Sequence, residues 1–406
     1  MNFKWIYVNP FHLPGFSGSC YSLKSHYLYN PLFTKGSFDY ENLENEKEKG
    51  DNLIKEFCYN TSKKGLNVMM DIVINHTSFD SELIENHSYW YEHNSDGEIK
   101  KPGTLEDGHF IEWGDLLQID NLSKDIETRR EIWKYWRDYL THYINLGIKG
   151  FRCDAAYMVP TELWKFLIYE IKKQNPEIIF LAETLNCKPE KIKELSDAGF
   201  DFVMNSIKWW NYKDHWFMMD YSKWMGSTSS LSFTENHDTE RFAKENGTKD
   251  KAIATYAIQA YFSSSIAITS GFEFGFTKKI DVVSTNPMDW EVGTYDITDE
   301  IKRINKIKST YKILHEDSKV YVYDFYNDKI FAYIRESNDG KENIIVVANL
   351  CETEGVEINI PNMYSILRSE RIVDISHGHR MNVVKNELNY YLQPNEVKIF
   401  YAKKGE

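Results

Sequence analysis

Long apolar runs are missing from this chain of 406 residues. None approaches the ~20 consecutive apolar residues that a membrane-spanning helix needs, so we expect no membrane partner. The first residues, Met1–Trp5, do not lead into the apolar stretch of a secretory leader. We therefore expect a cytoplasmic location.

Cysteine is scarce and follows no motif. The cysteines are Cys20, Cys58, Cys153, Cys187 and Cys351. They are scattered, without the close spacing of a metal-binding motif. An odd number of scattered thiols is typical of a reducing compartment, and the sequence predicts no cysteine-ligated metal.

Positively charged residues are also not in excess. The chain has 48 Lys and Arg and 61 Asp and Glu, which gives a net charge of −13 at pH 7. Such a charge repels nucleic acid and anionic lipid, so we expect neither as a partner, whereas a neutral glucan is compatible with it. Aromatic residues are abundant, with 27 Tyr and 11 Trp. They fit either a large aromatic core or rings that stack on sugars, and both interpretations stay open.

Short apolar runs alternate with helical patterns over most of the chain. Strands are predicted near residues 5, 70, 150, 180, 202, 231 and 267, the one near 231 spanning 229–233. Helices are predicted at 50–65, about 125–146, 160–173, 190–198, 250–262 and 299–315. This alternation predicts a parallel sheet with helical crossovers, and polar residues at strand ends favour an α/β fold of the (β/α)₈ TIM-barrel type. The later residues alternate with period two, which predicts an antiparallel β-sandwich. We therefore predict a barrel domain over 1–316 and a β-sandwich domain over 317–406.

Carboxylates end or follow several of the predicted strands. The segments are 71–76, 150–154, 180–183 and 236–238. Three of the carboxylates are Asp154, Glu183 and Asp238. Neighbouring strands lie ~4.8 Å apart, so Asp154 and Glu183 can stand at the ~5–5.5 Å that retaining glycosidases use. Arg152, two residues before Asp154, points to the same face of its strand and can place a positive charge beside it.

In their order, these four segments resemble the sequence blocks of the α-amylase family (glycoside hydrolase family 13). The resemblance implies that Asp154 is the nucleophile, that Glu183 is the general acid/base and that Asp238 binds hydroxyls of the reacting sugar. It further implies a set of substrate-binding residues, namely Tyr21, His76, Arg152 and His237. We expect Asp71 to play a structural role by binding backbone or Arg152.

The same resemblance implies an incomplete barrel. Barrels of this family have a strand and a helix before the segment that Lys4–Asn9 resembles, so we expect about seven parallel strands here. Residues 77–122 match the excursion that follows the third strand in the family, although this one is short. The C-terminal β-sandwich also fits the family.

One position departs from the family pattern. Tyr157 and Met158 stand where many amylases have Lys-His, and that His normally helps to bind calcium. Asn75 and Asp120 match family positions near the usual calcium ion, so calcium binding stays open. No other cofactor is expected.

The resemblance implies a retaining glycoside hydrolase that acts on α-glucans or maltooligosaccharides through a covalent glycosyl–Asp154 intermediate. One alternative is a maltosyltransferase-like α-1,4-glucan transglycosylase that uses the same residues. A second is a catalytically weak sugar-binding protein with the same fold. The oligomeric state and the exact glucan are not predicted.

Overall fold

The computed structural model describes residues 1–34, 38–106 and 109–405. The chain forms two compact units. The N-terminal unit comprises Phe3–Val203 and Val282–Thr285, and the C-terminal unit comprises Met1–Asn2, Met204–Asp281 and Asn286–Glu406. The predicted domain boundary at residue 316 stays a prediction.

The N-terminal unit alternates strands with helices. Its helices are α1 (Pro31–Thr34), α2 (Leu43–Ser62), α3 (Glu82–His87), α4 (Ile126–Asn145), α5 (Thr161–Gln174) and α6 (Pro189–Asp197). Its strands are β1 (Trp5–Val8), β2 (Asn67–Ile72), β3 (His76–Ser78), β4 (Gly103–Glu106), β5 (His109–Glu112), β6 (Leu116–Gln118), β7 (Gly150–Cys153), β8 (Ile179–Ala182) and β9 (Phe202–Met204). Five of these strands pair in parallel in the order β1-β2-β7-β8-β9.

The strands that lead into the predicted site are buried because helices cover a parallel sheet on its faces. All four residues of β7 are buried, as are the last five of β2. Helix α4, which precedes β7, begins after the cap residue Asp125, whose carboxylate accepts the Thr128 N–H at 2.9 Å. After the helix, Gly147 adopts a φ of +107°, where a Cβ would lie 2.8 Å from the Cys58 Cβ. That turn lets the chain enter β7 and reach Asp154.

The excursion at 77–122 is more regular than its sequence indicates. Strand β3 pairs with β6, and β4 pairs with β5, both antiparallel. These strands have only three or four residues, too few for a period-two pattern to be recognised. Residues 107 and 108 of the excursion lie outside the described residues.

The C-terminal unit contains helices α7 (Trp216–Trp224), α8 (Phe242–Asn246), α9 (Lys249–Phe262), α10 (Thr298–Thr310) and α11 (Met363–Leu367). Its strands are β10 (Ser229–Phe233), β11 (Ser265–Ala267), β12 (Val320–Val322), β13 (Ile330–Glu336), β14 (Glu342–Asn349), β15 (Val356–Ile360), β16 (Ile372–Asp374), β17 (Leu388–Leu392) and β18 (Val397–Lys403). Strands β10 and β11 are parallel. With the five parallel strands of the N-terminal unit, the described residues contain the seven expected parallel strands.

The remaining strands of this unit form antiparallel sheets, as predicted. One sheet has the order β12-β13-β14-β18-β16, and β15 pairs with β17 in a second. Apolar residues of both sheets share one core, among them Ile345, Val347, Ile358 and Leu392. The period-two pattern in the sequence identified β12, β13, β14 and β18, because alternate side chains of a strand face opposite sides of its sheet. Strands β15, β16 and β17 were not predicted. Over residues 1–34, 38–106 and 109–405, each helix is too short or too polar to cross a lipid bilayer.

Candidate active site

Two neighbouring strands bring the predicted nucleophile and acid/base to the same edge of the sheet. The backbone pairing continues past the ends of β7 and β8, since the Asp154 N–H donates to the Ile72 carbonyl at 3.0 Å and the Glu183 N–H to the Cys153 carbonyl at 3.1 Å. Asp154 therefore leaves β7 and Glu183 leaves β8 at equivalent positions. This is the edge where enzymes with parallel barrels place their functional groups.

Arg152 links two carboxylates at this edge. Its Nη1 donates to both carboxylate oxygens of Asp71, at 3.1 and 3.0 Å, and to Oδ1 of Asp154 at 2.6 Å. The Arg152 and Asp71 side chains are 3% and 0% exposed. One buried cation thus compensates two neighbouring anions, and the predicted contact between Asp71 and Arg152 is observed.

Asp71 also accepts hydrogen bonds from two tyrosines. The Tyr7 hydroxyl donates to Asp71 Oδ2 at 2.5 Å and the Tyr21 hydroxyl at 2.7 Å. Burial, reinforced by the charge of Asp154, raises the pKa of Asp71 to about 6, although Arg152 opposes the rise. The sequence did not single out Tyr7 as a site residue. Tyr7 lies on β1, which pairs with β2, the strand of Asp71, so its position on the neighbouring strand could have identified it.

Glu183 is buried and is held by two backbone groups. Its Oε2 accepts the Ala155 N–H at 2.9 Å and its Oε1 accepts the Leu185 N–H at 2.8 Å. Ala155 has φ 41° and ψ 45°, in the left-handed region, which is strained for a residue with a side chain. This conformation directs the N–H that follows Asp154 to Glu183 and so connects the two carboxylates through the backbone.

The pKa of Glu183 is suited to a general acid. Burial, followed by the charge of Asp154, raises the pKa of Glu183 to about 7, against the opposing effects of Arg152 and the two backbone donors. A carboxyl group with this pKa is partly protonated at neutral pH, as a general acid must be.

His76 and Tyr21 lie in the same unit. His76 is 2% exposed, and its Nδ1 lies 3.3 Å from the Asn75 Nδ2. Burial lowers the pKa of His76, and the nearby charge of Asp154 partly opposes that change. The Tyr21 ring centroid lies 6.0 Å from the Arg152 Cζ. The structure therefore brings five predicted site residues together in the N-terminal unit, namely Tyr21, His76, Arg152, Asp154 and Glu183.

Asp238 and His237 belong to the C-terminal unit and are described within it. The Asp238 side chain is 62% exposed, the His237 side chain is 10% exposed, and His237 Nε2 lies 3.4 Å from Asp238 Oδ2. The Asn236 side chain accepts the Asp238 N–H at 3.1 Å and so fixes the turn. The approach of these residues to Asp154 stays a prediction.

Tyr157 is an additional residue near the carboxylates. It is half-buried, and burial together with the charges of Glu183 and Asp154 raises its pKa. The phenol is therefore neutral where many amylases carry a lysine. The sequence departure at Tyr157 thus changes the charge next to the two carboxylates.

The candidate calcium residues, Asn75 and Asp120, both take part in backbone hydrogen bonds. The Asn75 carbonyl accepts the Ile119 N–H at 3.1 Å, and the Asp120 N–H donates to the Trp90 carbonyl at 2.7 Å. In the part of the chain that the structure describes, no three His, Cys, Asp or Glu side chains gather as metal ligands. Calcium takes about six to eight oxygen ligands, so Asn75 and Asp120 alone do not make a site, and calcium binding stays a prediction.

Replacing Arg152 should test the charge compensation. Arg152→Met leaves Asp71 and Asp154 without their cation, and we expect a loss of ~3–5 kcal/mol in the free energy of unfolding at pH 7, measured with urea. Arg130→Met, on the exposed Arg130 of α4, is the control and should cost less than ~1 kcal/mol. A loss for Arg152→Met as small as that of the control would contradict the compensation.

Comparison with known proteins identifies relatives of this chain. The family model of the glucanotransferase domain of glycogen debranching enzyme matches residues 1–94. The α-1,4-glucan:maltose-1-phosphate maltosyltransferase of Picrophilus torridus is 26% identical over 310 residues, covering 73% of this chain and 47% of that protein. A protein of the same name from Cereibacter sphaeroides is 23% identical, covering 70% of this chain and 49% of that protein. The chain spans about half the length of the curated relatives it matches.

Solved structures share the fold over nearly the whole chain. An α-amylase from Lactobacillus plantarum gives a TM-score of 0.74 at 19% identity and covers 98% of this chain and 91% of its own. An α-amylase from Geobacillus thermoleovorans, complexed with acarbose, gives 0.74 at 17% identity and covers 100% and 89%. These similarities confirm the predicted fold class, a barrel-type α/β fold followed by antiparallel β-sheets.

Proposed function

We propose that the chain is a member of the α-amylase family and that it cleaves α-glucosidic bonds of an α-glucan with retention of configuration, as its similarities to maltosyltransferases and α-amylases support. One observation carries the proposal. Arg152 holds the Asp154 carboxylate at the sheet edge, where the buried Glu183 has a pKa of about 7. A retaining glycosidase needs this combination of an ionised nucleophile and a protonated acid.

In the first step, Glu183 donates its proton to the glycosidic oxygen while an oxygen of Asp154 attacks the anomeric carbon. The bond between the anomeric carbon and the glycosidic oxygen breaks, the leaving sugar departs with the proton, and a glycosyl ester forms on Asp154. Positive charge develops on the sugar ring in the transition state. The Asp154 carboxylate, oriented by Arg152, stabilises that charge.

In the second step, Glu183 acts as the base. The glycosyl ester removes the negative charge of Asp154, which is one of the causes of the raised pKa of Glu183. The pKa of Glu183 therefore falls in the intermediate, and the ionised carboxylate accepts a proton from the incoming hydroxyl group. That oxygen bonds to the anomeric carbon, and Asp154 leaves as a carboxylate.

The remaining predicted residues bind the sugar in this proposal. Asp238 accepts hydrogen bonds from hydroxyls of the reacting ring, and its exposed side chain is available for them. His76 and His237 pair with further hydroxyls. The Tyr21 ring packs against the apolar face of the sugar while its hydroxyl stays bound to Asp71.

The incoming hydroxyl decides between hydrolysis and transfer. Transfer to a second sugar is the alternative, and it is favoured by the maltosyltransferases among the relatives and by the neutral Tyr157 near Glu183. A catalytically weak sugar-binding protein is less favoured, because the chain keeps Asp154, Glu183 and Asp238.

The proposed function is tested by incubating the protein with maltoheptaose, with and without phosphate, and separating the products by chromatography. We expect shorter oligosaccharides in either case, and products longer than maltoheptaose if transfer competes. Addition of EDTA tests calcium dependence. Failure of every α-glucan tested to react would contradict the proposed activity.

We also propose a cytoplasmic location. It is supported by the odd number of scattered cysteines in the sequence, which is typical of a reducing compartment.

A further inference from the structure

The C-terminal unit contains an open cavity of about 590 Å³, and none of the predicted catalytic residues is among its lining residues. Its lining residues are Asn2, Asp299, Lys302, Arg303, Lys306, Ile307, His377 and Arg380. We propose that this cavity binds a small phosphate-bearing molecule, either a phosphate monoester or inorganic phosphate. Nothing in the proposed glycosidase mechanism uses these residues.

One wall of the cavity is the charged face of α10. Lys302 and Lys306 are one helical turn apart, and Arg303 lies beside them. Ile301 and Ile304 are buried on the other face of the helix, which orients the basic residues outward. Within the described part of the chain, no carboxylate lies within 4 Å of either lysine ammonium, whereas Arg303 pairs with Glu300 at 3.2 Å.

The other wall comes from the segment after β16. The Arg380 Nε donates to the Ser376 carbonyl at 2.6 Å, which fixes the guanidinium group, and among the described residues its Nη groups make no hydrogen bond. An anchored guanidinium with free Nη groups is suited to two parallel hydrogen bonds with a phosphate. Neighbouring His377 has its Nδ1 3.3 Å from the Tyr261 hydroxyl.

The charge balance of the lining favours an anion. The lining holds four cations, Lys302, Arg303, Lys306 and Arg380, and one carboxylate, Asp299. Arg303 is also paired with Glu300, which leaves an excess of positive charge, in a chain whose net charge is −13. Cations gathered in this way repel one another, and a bound dianion relieves that repulsion. The overall negative charge disfavours a nucleic acid, and a cavity within the ~300–1,000 Å³ of small-molecule sites fits a compact ligand.

The pKa of His377 should change when a ligand binds in the cavity. Burial and the positive charges of Arg303, Lys398 and Arg380 lower the pKa of His377 to about 4. Lys398 is itself paired with Asp374 at 2.6 Å, and Tyr261 contributes a neutral hydroxyl. A bound dianion adds negative charge beside the imidazole and raises its pKa. Ligand binding should therefore be accompanied by proton uptake at His377 in mildly acidic solution.

Calorimetric titration of the full chain at pH 8, where both phosphate probes are dianions, and at constant ionic strength tests the proposal. The probes are inorganic phosphate, glucose 6-phosphate and, as a control, glucose. The double variant Lys306→Gln/Arg380→Gln loses two charge-assisted contacts, so we expect at least ~10-fold weaker binding. Lys385→Gln, on an exposed lysine outside the lining, removes a charge from the same unit and should bind as the wild type does.

The probes distinguish the two sources of phosphate. Tighter binding of glucose 6-phosphate supports a phosphate monoester, and equal binding supports inorganic phosphate. Binding that raises the pKa of His377, followed by NMR of the imidazole, supports the placement of the ligand. If the double variant does not fold, Lys302→Gln provides the comparison.

Three results would overturn the proposal. The first is no saturable binding of either phosphate probe. The second is an equal loss in Lys385→Gln, and the third is binding that leaves the pKa of His377 unchanged. All of these readouts are independent of glucan cleavage, so their failure is distinguishable from failure of the proposed function.

Discussion

Asp154→Asn should lower turnover of maltoheptaose by at least ~10³-fold while the chain stays folded. The amide has the size of the carboxylate, so the backbone pairing of residue 154 with the Ile72 carbonyl is retained. An amide oxygen cannot form the glycosyl ester, however, and no other carboxylate among the described residues is joined to Arg152 except the buried Asp71. The measurement is kcat from product chromatography, with circular dichroism to verify folding.

The control for this variant is Asp328→Asn, which removes the same charge from an exposed position and should leave kcat within a factor of two, about 0.4 kcal/mol in activation free energy. A 2-deoxy-2-fluoro glycosyl fluoride should label the wild type on Asp154 and leave Asp154→Asn unlabelled. If Asp154→Asn retained most of the wild-type turnover, Asp154 would not be the nucleophile.

The sequence was most informative where local patterns and tertiary structure agree. Helix α4 was predicted at about 125–146 and observed at Ile126–Asn145, because its buried residues Ile132, Trp136, Leu140 and Tyr143 recur at helical spacing. Strand β10 was predicted and observed at Ser229–Phe233. Helix α2 begins at Leu43, seven residues before its predicted start, since its first turns are polar.

Helix α7 was not predicted. Its sequence, WFMMDYSKW, is rich in aromatic residues, which have only moderate helix propensity. The burial of Phe217, Tyr221 and Trp224 stabilises it, and that packing depends on residues distant in the sequence. A local pattern therefore could not identify this helix.

In the candidate site, the sequence predicted which charged side chains are present, but not their burial or the backbone conformation around them. The contact between Arg152 and Asp71 followed from their positions on neighbouring strands. The left-handed conformation of Ala155 did not, because alanine has no preference for that region and the surrounding structure imposes it. The burial of Glu183 likewise depends on segments brought together by folding, so its raised pKa was not predictable.

Glu183→Gln should change the pH dependence of the reaction. Deprotonation of Glu183 around its pKa of about 7 should produce the alkaline decline of kcat/KM in the wild type. Glutamine cannot donate the proton, so the variant should lose at least ~10²-fold in kcat/KM on maltoheptaose. With α-maltosyl fluoride, whose leaving group needs little protonation, the loss should be smaller and the alkaline decline should disappear.

The same substitution should change the dependence of stability on pH. The pKa of Glu183 is higher in the folded protein, about 7, than its usual value of 4.5, so the folded state binds more protons between these two values. The free energy of unfolding therefore falls as pH rises from about 4.5 to 7, by on the order of 3 kcal/mol from this group. Glu183→Gln should lack that decrease in urea unfolding, whereas Glu190→Gln, on an exposed residue of α6, should keep it. An unchanged alkaline limb in Glu183→Gln, together with an unchanged slope of stability against pH, would show that another group is the acid.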